Sequence, residues 1–217
     1  NNWKFSKVVG KSILTSLEDS HLDIVECGYL SDKSTSLEST LFNDVNHLKS
    51  YFDLDKETNR KIVVMINYGD FDVDNLPPNE NNIIFGIRLA FHQKDADKAL
   101  EYGKKVISKG YKLFIQPMVT ALYSDYEFIE LIEKVNKFNP YAFYIVDSFG
   151  SIDKQELLRY LLIADDKLNQ NTVLGFHGHN NMQFVLTNAI ITIESVLKRE
   201  IIIDSSIYGM GRGAGNL

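Results

Sequence analysis

A chain of 217 residues with 44% hydrophobic composition can bury a sizeable core and lies within the range of one α/β domain. Its net charge of −6 is spread over mixed Lys, Glu and Asp, which argues against an extended phosphate-binding surface and against nucleic acid as a partner. One cysteine, Cys27, excludes an internal disulfide or a cysteine metal cluster, and the sequence has neither a membrane-length apolar run nor an apolar leader at "NNWKFSK", so no membrane and a cytoplasmic location are expected.

In chain order, "SKVVGKSILTSLEDS" reads as an opening helix. Seven strand-like runs then alternate with amphipathic stretches: "LDIVECGY", "KIVVMINYGD", "NIIFGIRLAF", "YKLFIQPMV", "AFYIVDSFG", "TVLGFHGHN" and "IIIDSSIYG". Pro77 and Pro78 make residues 70–82 a loop or a single turn. Gly110 is a stop signal for the helix "ALEYGKKVISKG", and Ser124 with Glu127 suits a capping box at the next helix start. Seven strands behind a leading helix fit an eight-fold βα barrel whose first strand and last helix are missing from the chain, since such barrels take about 250 residues. An open seven-stranded sheet is the alternative.

Functional groups of such folds gather at the C-terminal strand ends. Those ends carry Glu26 and Tyr29, Asn67 and Asp70, Arg88 and His92, Gln116 and Thr120, Asp147 and Ser148, His177 and His179, then Asp204 and Tyr208. In "GFHGHNN", strand alternation directs His177 and His179 to the same face, and Gly178 removes bulk between them. Asn180 and Asn181 follow with amides suited to supporting a ligand or capping a helix. Two partly exposed loop histidines are the plain reading; a divalent-metal site, completed by a carboxylate and leaving positions for water or substrate, is the favoured one.

The glycine-rich "YGMGRGAGN" ends the βα series rather than opening it, so it is not a dinucleotide fingerprint. Its backbone amides at Gly211 and Gly213, with Arg212, suit an anionic group. Arg88, a charge in an apolar strand, needs a partner: a substrate carboxylate or a neighbouring strand's acid, equally weighted. Asp147 either orients a ligand or caps the next helix, equally weighted. Cys27 is read as a buried small side chain.

"GFHGHNN" before a helix at "MQFVLTNAI", then "DSSIYGMGRGAGN", resembles the last two βα units of the DRE-TIM metallolyases, with the 4-hydroxy-2-oxovalerate aldolase-like proteins as the closest pattern. "VDSFGS" is similar to that family's sixth strand and "IVECGY" to its second. The resemblance implies a TIM barrel binding Mn²⁺ or Mg²⁺ through His177, His179 and, in the lyase branch, Asn216. It implies carbon–carbon bond cleavage or formation through a metal-bound enolate of a small 2-oxo acid, over residues 1–217 as one aldolase/lyase-like domain truncated at both ends. Arg88, Asp147 and Tyr208 are the catalytic candidates, with Tyr208 orienting the hydroxyl to be deprotonated. Glu26, Gly211, Arg212 and Gly213 are the substrate-binding candidates.

The resemblance further implies a homo-oligomer, with an aldehyde-dehydrogenase-type partner as an open option. The family's arginine-aspartate pair, which supplies a metal-binding carboxylate, is not in the chain, which begins just past where it belongs. The lyase branch's glycine-loop cysteine is also missing, against hydroxymethylglutaryl-CoA lyase activity. The alternatives are an isopropylmalate-synthase-like acyltransferase and a non-catalytic metal- or ligand-binding barrel.

Overall fold

The computed structural model describes residues 3–33, 39–54, 60–195, 198–211 and 213–215. The chain forms two compact units, Asn1–Ala90 with Glu101–Leu113, and Phe91–Leu100 with Phe114–Leu217.

The first unit opens with helix α1 (Lys7–Glu18), started by the Ser6 hydroxyl, which accepts the Val9 N–H. Strand β1 (Ile24–Leu30), the two-residue β2 (Leu41–Phe42), helix α2 (Val45–Phe52), β3 (Lys61–Asn67) and β4 (Gly86–Phe91) follow. The strands are parallel in the order β2-β1-β3-β4. Burial explains the continuous apolar spelling of β3 and β4: all six residues of β4 are buried, as expected of a parallel strand covered on both faces. The sequence reading found β1, β3 and β4 but not β2, which is too short to show a period. Pairing of β2 with Tyr29 and Leu30 coincides with a register shift in β1 between Glu26 and Tyr29. Gly28 permits it at φ 133°, where a Cβ would lie 2.6 Å from the Thr40 carbonyl oxygen. The Pro77–Pro78 loop holds a single 3₁₀ turn, Val73–Asn75, as the prolines require.

Helix α3 (Ala96–Ser108) and strand β5 (Lys112–Pro117) run across the boundary between the two segments, and α3 stops ahead of Gly110. The rest of the second unit is α4 (Asp125–Asn136), β6 (Ala142–Asp147), α5 (Lys154–Lys167), β7 (Val173–Gly178), α6 (Val185–Ser195) and β8 (Ile201–Ile203). Its strands are parallel in the order β5-β6-β7-β8. The expected capping box starts α4: the Glu127 N–H donates to the Ser124 hydroxyl at 3.3 Å, and the Ser124 N–H donates to the Glu127 carboxylate at 2.8 Å. Phe128 of α4 packs edge-on to Tyr160 of α5 at 4.9 Å and against Phe143 of β6 at 5.7 Å, which ties helices to sheet.

The end of α5 is closed by a residue the sequence did not flag. The Arg199 side chain, 2% exposed, donates to the Asp165 carboxylate at 3.0 Å and to the carbonyls of Asp165, Leu168, Asn169 and Thr172. Carbonyls left over at a helix C-terminus need such donors, and a guanidinium serves several at once. No helix among the described residues is long and apolar enough to cross a membrane.

Candidate active site

The second unit carries the histidine segment. Extended backbone through β7 turns His177 to one face and Gly178 to the other, and the imidazoles of His177 and His179 lie 5.5 Å apart, ring centre to ring centre. His177 Nδ1 is 2.7 Å from Asp204 Oδ2, just past β8, in a carboxylate that is only 14% exposed. With Nδ1–H donated to the carboxylate, the Nε2 lone pair remains for a ligand, the arrangement that orients metal-binding imidazoles. His179 is fixed by its backbone: its N–H donates to the Asp147 carbonyl at 3.1 Å and it bridges to Ala214.

The neighbouring polar groups hold this segment in place. Asn180 Oδ1 accepts the Val185 N–H at 3.3 Å and so caps α6, while Asn181 Nδ2 donates to the Phe149 carbonyl at 2.7 Å. Gly178 has a different reason from the one expected. A Cβ there would sit 2.8 Å from Val185 Cγ2 and 2.9 Å from Phe176 Cζ, so the glycine admits the first residue of α6 rather than clearing space between imidazoles.

The glycine-rich stretch folds back on the same segment instead of hanging free. The Asn180 N–H donates to the Gly213 carbonyl at 2.6 Å, and the Ser206 N–H and hydroxyl both donate to the Gly215 carbonyl, at 2.9 and 2.6 Å. Gly213 has φ 64°, and a Cβ on it would meet Asn181 Oδ1 at 2.5 Å. Gly211, at φ 144°, is likewise described; Arg212 and Asn216 lie outside the described residues. Tyr208 is 88% exposed, in a short turn beyond β8.

Asp147 is 2% exposed, and each of its side-chain oxygens accepts a backbone N–H, from Ser151 at 3.0 Å and Ile152 at 3.1 Å. The cap of α5 is Asp153, which accepts the Glu156 N–H at 2.9 Å, so Asp147 does not cap that helix but ties down the loop after β6. In the first unit, Arg88 Nη1 lies 2.7 Å from Glu26 Oε2, so the acid on a nearby strand is its partner. Arg88 and Glu26 thus stand together as a charge-assisted ion pair.

Also in the first unit, the Tyr29 hydroxyl donates to Asp70 at 2.6 Å, with Asn67 and Lys33 at 3.3 and 3.4 Å. Burial, the largest influence on Asp70, opposes its ionisation, but these donors outweigh it and hold the carboxyl below its ordinary value. Burial first, and then the bond to Asp70, push the Tyr29 hydroxyl well above the usual tyrosine range. Of the remaining rim, Gln116 and Thr120 are fully buried, and Thr120 is locked between the Pro117 carbonyl and the Val146 N–H.

His177 and His179 fit a divalent cation as two nitrogen donors on one face. Among the described residues no group of three His, Cys, Asp or Glu is arranged around such an ion, and Asp204 is engaged as the hydrogen-bond partner of His177. Asp204 stood in the sequence among the rim residues without a role; an acid ending the strand after the histidine strand was the available signal.

Parallel βα units with paired imidazoles at a C-terminal strand end define an α/β protein of the TIM-barrel class. The HMGL-like family is matched over residues 82–217, and the chain belongs to that family, within the DRE-TIM group. It is 25% identical over 208 residues to the 4-hydroxy-2-oxovalerate aldolase of Pseudoalteromonas translucida, and 25% over 209 residues to 4-hydroxy-2-oxovalerate aldolase 2 of Comamonas testosteroni. The alignments cover 94% and 95% of this chain but 59% and 58% of those proteins, so the chain spans about three fifths of the length of the curated relatives it matches.

Among solved structures, the N-terminal domain of a proposed aldolase from Bacteroides vulgatus superposes with a TM-score of 0.79 at 26% identity, over 100% of this chain and 71% of that one. The HMG-CoA lyase from Brucella melitensis shares the fold, with a TM-score of 0.72 at 12% identity over 97% of this chain and 77% of that one.

Proposed function

We propose that this chain is the metal-binding portion of a divalent-metal-dependent aldolase or lyase, acting on a carbon–carbon bond of a small 2-oxo acid in the manner of 4-hydroxy-2-oxovalerate aldolases. The observation that carries the reading is the same-face pair His177 and His179, with Asp204 holding His177 Nδ1 at 2.7 Å. Membership of the HMGL-like family and the aldolase names of the relatives support it.

In this reading His177 and His179 hold Mn²⁺ or Mg²⁺. The bound cation supplies Lewis-acid polarisation of the substrate carbonyl. Asp204 keeps His177 in one tautomer and one ring orientation. The Asp147 carbonyl and the bridge to Ala214 fix His179, and the Gly213 carbonyl accepts the Asn180 N–H next to it. These fixed groups let the substrate meet donors that need no rearrangement.

The test is cleavage of 4-hydroxy-2-oxovalerate by the protein that contains this chain, followed as pyruvate release. Release that stops with chelator and returns with Mn²⁺ supports the reading. No release from metal-loaded protein overturns the substrate class, and release indifferent to chelator overturns the metal.

A further inference from the structure

The loop after β6 is seated on the histidine segment through its backbone carbonyls. That of Asp147 accepts the His179 N–H at 3.1 Å, that of Phe149 the Asn181 Nδ2–H at 2.7 Å, and that of Gly150 the Met182 N–H at 3.1 Å. The loop is itself tied down. The Asp147 carboxylate accepts the Ser151 and Ile152 N–H groups, and the Ser148 hydroxyl accepts the Val119 N–H at 2.9 Å, just past β5. The two histidines depend on this loop to different degrees. His177 lies within β7, paired in register with Val146 of β6, and is held by Asp204 as well. The pairing of β6 with β7 ends at Asp147 and Gly178, so His179 stands past it and takes its place from the loop and from the bridge to Ala214.

Gly150 is what lets the two backbones approach this closely. Its φ of 63° lies in the left-handed region that favours glycine. A Cβ on it would stand 2.6 Å from the Asn181 nitrogen, 2.7 Å from the His179 carbonyl oxygen and 2.8 Å from the His179 carbonyl carbon. All three are backbone atoms, so no change of rotamer clears the way. Gly178 and Gly213 differ in this respect, because an added Cβ there would first meet side chains, of Val185 and Phe176 or of Asn181. Relief at Gly150 requires the peptide of His179 to move away from the Asp147 carbonyl, and a close-packed backbone passes such a shift on to the side chain it carries.

We propose that Gly150 is a positioning residue for His179: the bare backbone at this one position sets where the second imidazole stands relative to the first. Its consequence for metal affinity rests on the reading of His177 and His179 as metal ligands.

The protein that contains this chain, labelled with ¹⁵N and with ¹³C at histidine, is compared with Gly150→Ala and Gly110→Ala. Gly110 has φ 91°, but a Cβ on it comes no nearer than 3.6 Å to Asn79 Cβ, so that variant carries the backbone strain without the clash. In metal-free Gly150→Ala the His179 amide proton is expected to move upfield as its bond to the Asp147 carbonyl lengthens, and the cross-relaxation peak between the two imidazoles to weaken. Both are expected to stay in place in Gly110→Ala. Mn²⁺ binding, with the free ion read by electron paramagnetic resonance, is expected to weaken about tenfold in Gly150→Ala and to hold within about twofold in Gly110→Ala. Asn181→Ala gives up the bond to the Phe149 carbonyl without adding bulk; a smaller amide shift and about threefold weaker Mn²⁺ binding are expected, and this variant decides if Gly150→Ala does not fold. A folded Gly150→Ala with the His179 amide and the imidazole peak unmoved overturns the proposal, as does an unmoved Asn181→Ala where Gly150→Ala does not fold. Equal losses of Mn²⁺ binding in Gly150→Ala and Gly110→Ala also overturn it, since general destabilisation then accounts for both. A parent protein that binds no Mn²⁺ overturns the metal reading alone, and the metal-free signals still decide whether Gly150 places His179.

Discussion

Asp204→Ala removes the acceptor that holds His177 Nδ1 at 2.7 Å and leaves the imidazole free to rotate and to exchange tautomers. Loss of such an orienting carboxylate weakens metal binding by about 10- to 100-fold. The Asp204 carboxylate is 14% exposed and the His177 ring 30%, a partly buried, charge-assisted bond, which places the expected effect near the middle of that range. We expect about 30-fold weaker Mn²⁺ binding, or roughly 2 kcal/mol. Titration of Mn²⁺, with the free ion read by electron paramagnetic resonance, measures it directly. Asp204→Asn keeps an acceptor oxygen without the charge and should fall between the two. If Asp204→Ala binds Mn²⁺ within about twofold of the parent while His177→Ala does not bind, the carboxylate does not orient the ring and the reasoning fails.

Arg199→Ala leaves a carboxylate and four carbonyls without their donor, and removing one partner of a buried pair costs about 3–5 kcal/mol. At about 2–4 °C per kcal/mol for a chain of this size, thermal unfolding should shift down by roughly 10 °C, and a shift under about 2 °C would contradict the role assigned to it. Gly178→Ala must displace Val185 or Phe176 and should cost about 1–3 kcal/mol in urea unfolding, whereas an unchanged midpoint would show that α6 yields freely. Asp70 has a lower pKa folded than unfolded, so its contribution is present above the unfolded value, about 3.9, and is lost as pH falls through the folded one. Asp70→Asn should therefore flatten the fall in stability below about pH 4; an unaltered profile there would refute the assignment.

Period and composition made seven of the eight strands legible, because parallel strands packed into a sheet spell themselves in β-branched and aromatic residues. The two-residue β2 has no period to read. His177 and His179 were legible for a local reason, since spacing alone puts them on one face. Their support was not: Asp204 is 27 residues from His177, and Glu26 is 62 from Arg88, separations that only the register of the strands converts into contact. The residue preceding the second histidine shows the same limit from the other side. Gly178 is adjacent to both histidines in sequence, yet its requirement comes from Val185 and Phe176.

The most direct test of the central claim is exchange of the pyruvate methyl protons in heavy water, followed by NMR, for the protein containing this chain with Mn²⁺ or Mg²⁺. The account predicts deuterium uptake that chelator removes and that His177→Ala abolishes. Metal-loaded protein that leaves the methyl group undeuterated would contradict the reading of this chain as part of a pyruvate-forming aldolase.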